Sequence, residues 1–166
     1  VLLAILCSMP FIYTQLKLSI TDALFESMSG ITTTGATVLN NIDELPKGIL
    51  IWRALLQWLG GIGIVVIALV ILPFLRIGGM QLFHLEGDDP YDKFLPKISS
   101  VVIKIVIAYC VLTTILLFLY YINGMTLFDA IAHSFTTIST GGFSTHNDSL
   151  AYFQSNSILN IAIIFM

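Results

Sequence analysis

Charged residues are scarce in this sequence. They make up 10% of its 166 residues, whereas hydrophobic residues make up 57%. A typical globular chain is about a quarter charged and about 45–50% apolar. The mean hydropathy of the chain is +0.93. This composition excludes an ordinary water-soluble domain and predicts a membrane protein.

Basic residues and cysteines are few as well. Seven Lys and Arg against ten Asp and Glu give a net charge of −3, which excludes the clustered basic surface that nucleic-acid binding requires. Cys7 and Cys110 lie far apart and form no metal-binding spacing, so neither a disulfide framework nor a zinc site is expected. The apolar stretches contain no nucleophile paired with a base, which argues against a membrane-embedded enzyme.

Two uncharged stretches are long enough to cross a bilayer. Residues 54–75 and 105–128 contain no charged side chain, and about 20 apolar residues are needed for one crossing. They predict one membrane span over residues 49–75 and another over residues 98–122. The polar segment between them, residues 76–97, is predicted to be a cytoplasmic loop on the count of its basic residues.

The ends of the chain are also apolar. Val1–Tyr13 and Ile158–Met166 have the composition of membrane helices, and we expect the chain to be a piece of a longer protein. Within the first span, Arg53 is expected to be an interfacial anchor whose stem reaches the lipid headgroups. The glycines at positions 60, 61 and 63 favour close helix packing over a nucleotide-binding loop, because no strand precedes them.

Two polar segments of the chain repeat one another. Residues 19–37 align with residues 126–144 at a constant offset of 107 positions. Asp22 then pairs with Asp129, and the identities exceed the chance level several times over. We interpret the pair as a duplicated supersecondary unit, which is common in membrane transport folds.

Each copy of the repeat begins with a helix-capping sequence. Ser19 and Thr126 provide an N-cap hydroxyl, and an aspartate follows three positions later in both copies. These signals predict short helices over residues 20–31 and 127–138. A helix of this length cannot span a membrane, and irregular backbone follows it, so we predict two re-entrant pore loops. His133 lies four positions after Asp129, but a cap and a buried hydrogen bond explain this spacing better than a metal site.

The number of spans between the two loops indicates their relative orientation. Two crossings return the chain to the same membrane face, so both loops are expected to enter from one side. This is a parallel repeat about the membrane normal, as a central pore requires. A secondary transporter of another cation or solute, built on broken helices, is the alternative, and it would favour an inverted repeat.

The segments after the two short helices, residues 32–37 and 139–144, are rich in Thr, Ser and Gly and carry no charge. Their backbone carbonyls can replace the hydration shell of a small cation. Gly35 and Gly142 permit a positive φ, which allows neighbouring carbonyls to turn toward a pore. Each short helix also points its negative dipole end at the loop. The two segments are therefore predicted to form part of an ion-selectivity filter.

Three motifs stand out, at residues 25–37, 52–63 and 141–146. They resemble the Trk potassium-uptake family of the Trk/Ktr/HKT superfamily, and within it the bacterial TrkH membrane subunits. The resemblance implies an all-α membrane protein with tandem, parallel helix–pore-loop–helix units, four of them around one pore. The first unit would occupy residues 1–75 and the second would occupy residues 98–166, with its last helix starting at 158.

The resemblance also implies roles for individual filter residues. The potassium ligands would be backbone carbonyls of Thr33, Thr34, Thr140 and Gly141. Gly35 and Gly142 would be the filter glycines, and Thr32 and Ser139 would lie at the filter edge. In the plant relatives a serine at the position of Gly35 accompanies sodium selectivity, so a glycine here favours potassium.

Function and partners follow from the same resemblance. It implies potassium uptake across the bacterial inner membrane by a multi-pass protein that is not an enzyme and has no cofactor. Potassium would be the transported ion, and Na⁺ or H⁺ is a possible coupling ion. The expected partners are the lipid bilayer, a second copy of the full-length protein and a cytosolic nucleotide-binding regulatory subunit.

Overall fold

The computed structural model describes residues 2–14, 18–71 and 90–166. Within these ranges the regular structure is entirely helical. The α-helices are α1 (Leu2–Tyr13), α2 (Ile20–Ile31), α3 (Lys47–Ile71), α4 (Pro90–Ile122), α5 (Leu127–Ile138) and α6 (Asn156–Phe165). Short 3-10 helices lie at Ile42–Glu44 and Ser149–Phe153.

Two of the helices have the length and composition of membrane spans. Lys47–Ala68 of α3 comprises 22 residues and Ser100–Ile122 of α4 comprises 23, both strongly apolar. Helices α2 and α5 have 12 residues each and are too short to cross about 30 Å of hydrocarbon. The chain therefore has the same order of elements twice: a helix, a short helix followed by a loop, and another helix.

The start of α4 differs from the prediction. Residues 76–97 were expected to form a loop, but α4 begins at Pro90, so residues 90–97 are helical. Proline is favoured in the first turn of a helix, because its missing N–H has no partner there and its φ is already helical. The rest of that predicted loop, up to residue 89, and the predicted end of the first span at 72–75 lie outside the described residues.

The predicted helix caps are confirmed. The Ser19 hydroxyl accepts the Asp22 backbone N–H at 3.1 Å and donates to the Asp22 carboxylate at 2.7 Å. Thr126 makes the same two bonds with Asp129, at 3.2 and 2.6 Å. The cap hydroxyl thus accepts a backbone N–H at the start of each short helix, which has no partner within the helix, and donates its own proton to the carboxylate.

In the first unit, α2 is held between α1 and α3. Their apolar core is formed by Phe11, Ala23, Ile49 and Leu56. At the start of α3, the Trp52 indole N–H donates to the backbone carbonyl of Cys7 at 3.1 Å. These contacts hold α2 against α3, with α1 on its other side.

Helix α3 also joins the first unit to the second. The Trp58 ring lies 5.5 Å from the ring of Tyr109 on α4 and 5.3 Å from that of Phe135 on α5. Its indole N–H donates to the Thr113 hydroxyl at 3.0 Å, and the Tyr109 hydroxyl donates to the Trp58 carbonyl at 3.0 Å. Because α3 packs against both short helices, the loops that follow those helices lie side by side.

Candidate functional site

The first loop begins with a tight hydrogen-bonded turn at the end of α2. The Thr33 N–H donates to the Gly30 carbonyl at 3.0 Å, and the Thr34 N–H donates to the Ser29 carbonyl at 2.9 Å. This is the bonding pattern of a Schellman motif, which requires a left-handed residue where the helix ends. Thr33 takes that conformation, with φ at +54°. Glycine is the usual residue there, and a β-branched residue at positive φ is rare and strained.

The second loop repeats the same turn. The Thr140 N–H donates to the Thr137 carbonyl and the Gly141 N–H donates to the Thr136 carbonyl, both at 2.9 Å. Thr140 also has a φ of +54°. The sequence repeat is therefore a repeat of backbone geometry, including the strained threonine.

The hydrogen bonds of these turns orient the loop carbonyls. In a trans peptide the N–H and the preceding C=O point in opposite directions. Because the N–H groups of Thr33 and Thr34 point back to the helix, the carbonyls of Thr32 and Thr33 point away from it. The same holds for Ser139 and Thr140 in the second loop. Among the described residues none of these four carbonyls accepts a hydrogen bond.

Gly35 brings the two loops into contact. Its φ is +76° and that of Gly142 is +81°, so the positive φ predicted for both glycines is confirmed. A Cβ atom on Gly35 would lie under 3.0 Å from the Gly141 carbonyl oxygen, closer than real Cβ atoms come. The first loop is therefore packed against the backbone of the second.

Helix α3 supports both loops through its glycines. A Cβ on Gly60 would lie under 3.0 Å from the Ile31 carbonyl oxygen at the end of α2, and one on Gly61 would lie 2.9 Å from the Ser139 Cβ at the end of α5. The predicted close helix approach is confirmed at these two positions. At Gly63 no described atom lies within 4 Å of such a Cβ.

Arg53 is not the interfacial anchor that the sequence predicted. Its side chain is 1% exposed, and its Nε lies 2.7 Å from Oε1 of Glu26, whose carboxylate is fully buried. Taking a guanidinium out of water costs several kcal/mol unless it is paired and hydrogen-bonded. The expectation of an anchor is wrong because α2 supplies a buried carboxylate beside the start of α3.

Gln57 is a site residue that the sequence analysis missed. It is fully buried on α3, and its Oε1 accepts the backbone N–H of Phe143 at 3.1 Å. Its amide group lies so close to Gly141 that a Cβ there would come within 3.0 Å of it. An amide side chain within an apolar span, four residues after Arg53, was the available signal, because polar residues at membrane depth are usually functional.

The segments beyond the two loops are joined by Asp43. Its carboxylate accepts hydrogen bonds from the Asn147 side chain and lies 2.7 Å from the His146 Nδ1. Asn147 in turn accepts the Ile42 backbone N–H at 2.8 Å, and the His146 ring stacks on Tyr152 at 3.6 Å. The two units are therefore tied together by the segments that follow the loops as well as at the loops themselves.

The match to a known family extends over the whole sequence. Residues 1–166 match the model of the TrkH family, which is described as a cation transport protein family. The chain belongs to the TrkH family. Its members are transport proteins and not enzymes, and the family resemblance predicted from the three motifs is confirmed.

Relatives of this TrkH-family chain are potassium uptake proteins by name. It is 48% identical over 162 residues to the Trk system potassium uptake protein TrkH of Vibrio parahaemolyticus and to that of Escherichia coli K12. It is 41% identical over 158 residues to TrkG of Escherichia coli K12. These alignments cover 93–96% of the chain but 33–34% of the relatives. The chain therefore spans about a third of their length.

A solved structure has the same fold. The crystal structure of the potassium transporter TrkH from Vibrio parahaemolyticus matches with a TM-score of 0.84 and 45% sequence identity. The match covers 98% of this chain and 32% of that one. The predicted fold class, an all-α membrane protein of helix–pore-loop–helix units, is confirmed.

The predicted filter residues of this TrkH-family chain fall in the two turns and directly after them. They are Thr32, Thr33, Thr34 and Gly35 in the first loop and Ser139, Thr140, Gly141 and Gly142 in the second. The structure brings Gly35 against Gly141, and it links the Thr32 and Thr34 hydroxyls at 2.8 Å.

We expect acid to weaken the tie at Asp43. The hydrogen bond with His146 lowers the pKa of this carboxyl. A lowered pKa means that the stabilisation is complete above the ordinary value of about 3.9 and is lost as the pH falls through the lowered value. Asp43→Asn should therefore reduce the loss of thermal stability between about pH 5 and about pH 3.

The measurement is thermal unfolding of the purified full-length protein in detergent at both pH values. Asp148→Asn is the matched control, because Asp148 is exposed and makes no side-chain capping bond. Equal acid sensitivity of the two variants would contradict the role of Asp43.

Proposed function

We propose that this chain forms two adjacent pore units of a potassium-uptake protein and that K⁺ passes along its loop carbonyls. Residues 1–75 would form the first unit and residues 98–166 the second, with a cytoplasmic connection between them. The proposed ligands are backbone carbonyls of Thr33, Thr34, Thr140 and Gly141. Gly35 and Gly142 would be the filter glycines, with Thr32 and Ser139 at the filter edge.

The orientation of the Thr33 and Thr140 carbonyls, two of the four proposed ligands, carries this proposal. The N–H groups of both turns are used by the helix ends, so oxygen atoms without hydrogen-bond partners among the described residues face the other way. An unpaired carbonyl in hydrocarbon costs several kcal/mol, and irregular backbone at this depth must therefore line a polar cavity or be covered by protein. A partly dehydrated cation is a suitable partner for such oxygens.

The charge of the site favours a cation that binds and leaves. The C-terminal ends of α2 and α5 carry partial negative charge, and both helices end at the loops. The residues of the turns themselves are uncharged. Conduction needs binding that is favourable yet weak enough for release, and carbonyl and dipole charge meets both conditions without a charged residue within segments 32–37 and 139–144.

The alternative, a secondary transporter built on broken helices, fits the repeat less well. Two long helices, α3 and α4, separate the loops of the two copies. Inverted repeats would need an odd number of crossings between the copies. The parallel arrangement supports a shared pore axis.

We also propose how the whole protein is organised. The named relatives are about three times as long as this chain, so further pore units would complete a ring around the ions. The Trk resemblance supports a multi-pass protein of the bacterial inner membrane. It also supports a homodimer and a cytosolic nucleotide-binding regulatory subunit.

Complementation tests the proposed function. The full-length protein should restore growth at low potassium to a bacterial strain that lacks its own potassium uptake, and it should raise uptake of the tracer Rb⁺. Excess K⁺ should compete with the tracer far better than excess Na⁺. Protein that reaches the membrane but gives neither growth nor tracer uptake would refute the proposal.

A further inference from the structure

The ion pair behind the loops is buried completely. Glu26 is 0% and Arg53 is 1% exposed, and their closest charged atoms are 2.7 Å apart. Replacing a buried ion pair by apolar side chains of similar volume is often neutral or stabilising, because desolvation offsets the attraction between the charges. Net stability alone therefore does not explain why this pair occupies the junction between α2 and α3.

Arg53 contacts both loops at once. Its Nη2 donates to the Thr37 hydroxyl at 3.1 Å in the first loop, and its Nη1 donates to the Ser144 carbonyl at 3.4 Å in the second. The guanidinium carbon also lies 4.1 Å from the centre of the Phe143 ring. A planar guanidinium has donors pointing in several fixed directions, so one side chain can hold three partners in a defined geometry.

Glu26 holds the same part of the first loop from the other side. Its two carboxylate oxygens accept the Thr37 hydroxyl at 3.0 and 3.1 Å. One of them also accepts the Val38 backbone N–H at 3.2 Å. The outer end of the first loop is thus held by a carboxylate, and the same carboxylate is bonded to the arginine that reaches the second loop.

The second copy of the repeat has a different pair of side chains in contact at the equivalent position. His133 and Ser144 occupy the positions of Glu26 and Thr37, 107 residues later, and the His133 Nε2 lies 3.0 Å from the Ser144 hydroxyl oxygen. A single hydrogen bond there replaces the bidentate contact of the carboxylate. Both units thus have a contact between the short helix and the loop at this position, but only in the first unit does an ion pair make it.

We propose that Glu26 and Arg53 are positioning residues for the filter. They fix the separation between the outer ends of the two loops and thereby set the preference for K⁺ over Na⁺. This inference rests on the function proposed above. It follows from the contacts because selectivity depends on the number and placement of the coordinating carbonyls, and Thr37 and Ser144 are the last residues of the two segments that supply those carbonyls.

Arg53→Lys in the full-length protein tests the inference. Lysine keeps the charge beside Glu26 but cannot bond Thr37 and Ser144 in the same fixed geometry. We expect tracer Rb⁺ uptake to continue while its inhibition by K⁺ relative to Na⁺ falls about tenfold, equivalent to ~1.4 kcal/mol. Thr37→Val, which leaves the ion pair in place but removes the shared hydroxyl, should lower the ratio in the same direction.

Ser27→Ala is the matched control. Ser27 is the next residue on α2 and equally buried, but its hydroxyl donates to the Ala4 carbonyl of α1 at 2.9 Å, away from the loops. This variant should lower thermal stability and leave the K⁺ over Na⁺ ratio unchanged. An equal shift of the ratio in Ser27→Ala would show a merely structural effect and overturn the inference.

The remaining outcomes are also decisive. A wild-type ratio in Arg53→Lys overturns the inference, and if that variant does not reach the membrane, a wild-type ratio in Thr37→Val does so. Failure of the proposed function gives a different result, because the unmodified protein would then show no K⁺-sensitive tracer uptake at all.

Discussion

Replacement of Gly35 by serine is expected to abolish the preference of the full-length protein for K⁺ over Na⁺. Any Cβ at this position would come within 3.0 Å of the Gly141 carbonyl oxygen, which is a proposed ligand and would have to move. The φ of +76° adds a backbone cost of about 1–2 kcal/mol for a residue with a side chain. Overpacking typically adds about 1–3 kcal/mol.

Competition of K⁺ and Na⁺ against tracer uptake measures this effect. Gly35→Ala should fail in the same way, because the conflict arises at the Cβ and not at the hydroxyl. Gly124→Ser is the control for backbone strain: its φ is +103° and no described atom lies within 4 Å of its Cβ position. Gly124 precedes α5, at the opposite end from the loop. Wild-type selectivity in Gly35→Ser would contradict the proposed filter.

Gly60→Ala is expected to separate α3 from the end of α2. The new Cβ would approach the Ile31 carbonyl oxygen, carbon and Cα all at 3.0 Å or less. These are backbone atoms that no rotamer change can move. A helix shift that relieves such a clash costs about 1–3 kcal/mol. Because the first filter segment begins directly after Ile31, uptake should fall together with thermal stability.

Thermal unfolding in detergent, with tracer uptake in parallel, measures this second effect. Gly63→Ala is the matched control on the same helix, since no described atom lies within 4 Å of its Cβ position. Alanine in place of glycine inside a helix should leave stability unchanged or raise it by about 1 kcal/mol. If Gly63→Ala lost as much stability as Gly60→Ala, close packing of α3 on α2 would not be the reason.

Local signals in the sequence were sufficient for the helices of the repeat. The hydroxyl–carboxylate caps at Ser19 and Thr126 act within three residues, so they could be recognised without a structure. The positive φ of Gly35 and Gly142 was predictable for the same reason, because only glycine adopts it without strain. The corresponding φ of Thr33 and Thr140 was not, since threonine disfavours it.

The supports behind the loops were not predictable from local signals. Arg53 looked like an anchor because the sequence shows its distance from the end of the span but not the carboxylate of α2 beside it. The Arg53–Glu26 pair joins residues 27 positions apart, and the bond from Phe143 to Gln57 joins residues 86 positions apart. Such partners become visible when helices pack.

The amino-acid sequence alone determined the membrane class, the two uncharged spans, the duplicated short helices and the family, because hydrophobic length, capping chemistry and a constant repeat offset are properties of residues close together in the chain. The tertiary structure alone decided that Gly35 contacts Gly141, that Gln57 packs against the second loop and that Arg53 pairs with Glu26. These contacts depend on how α3 packs between two short helices, and burial of each polar group is tolerated only because that packing supplies its partner.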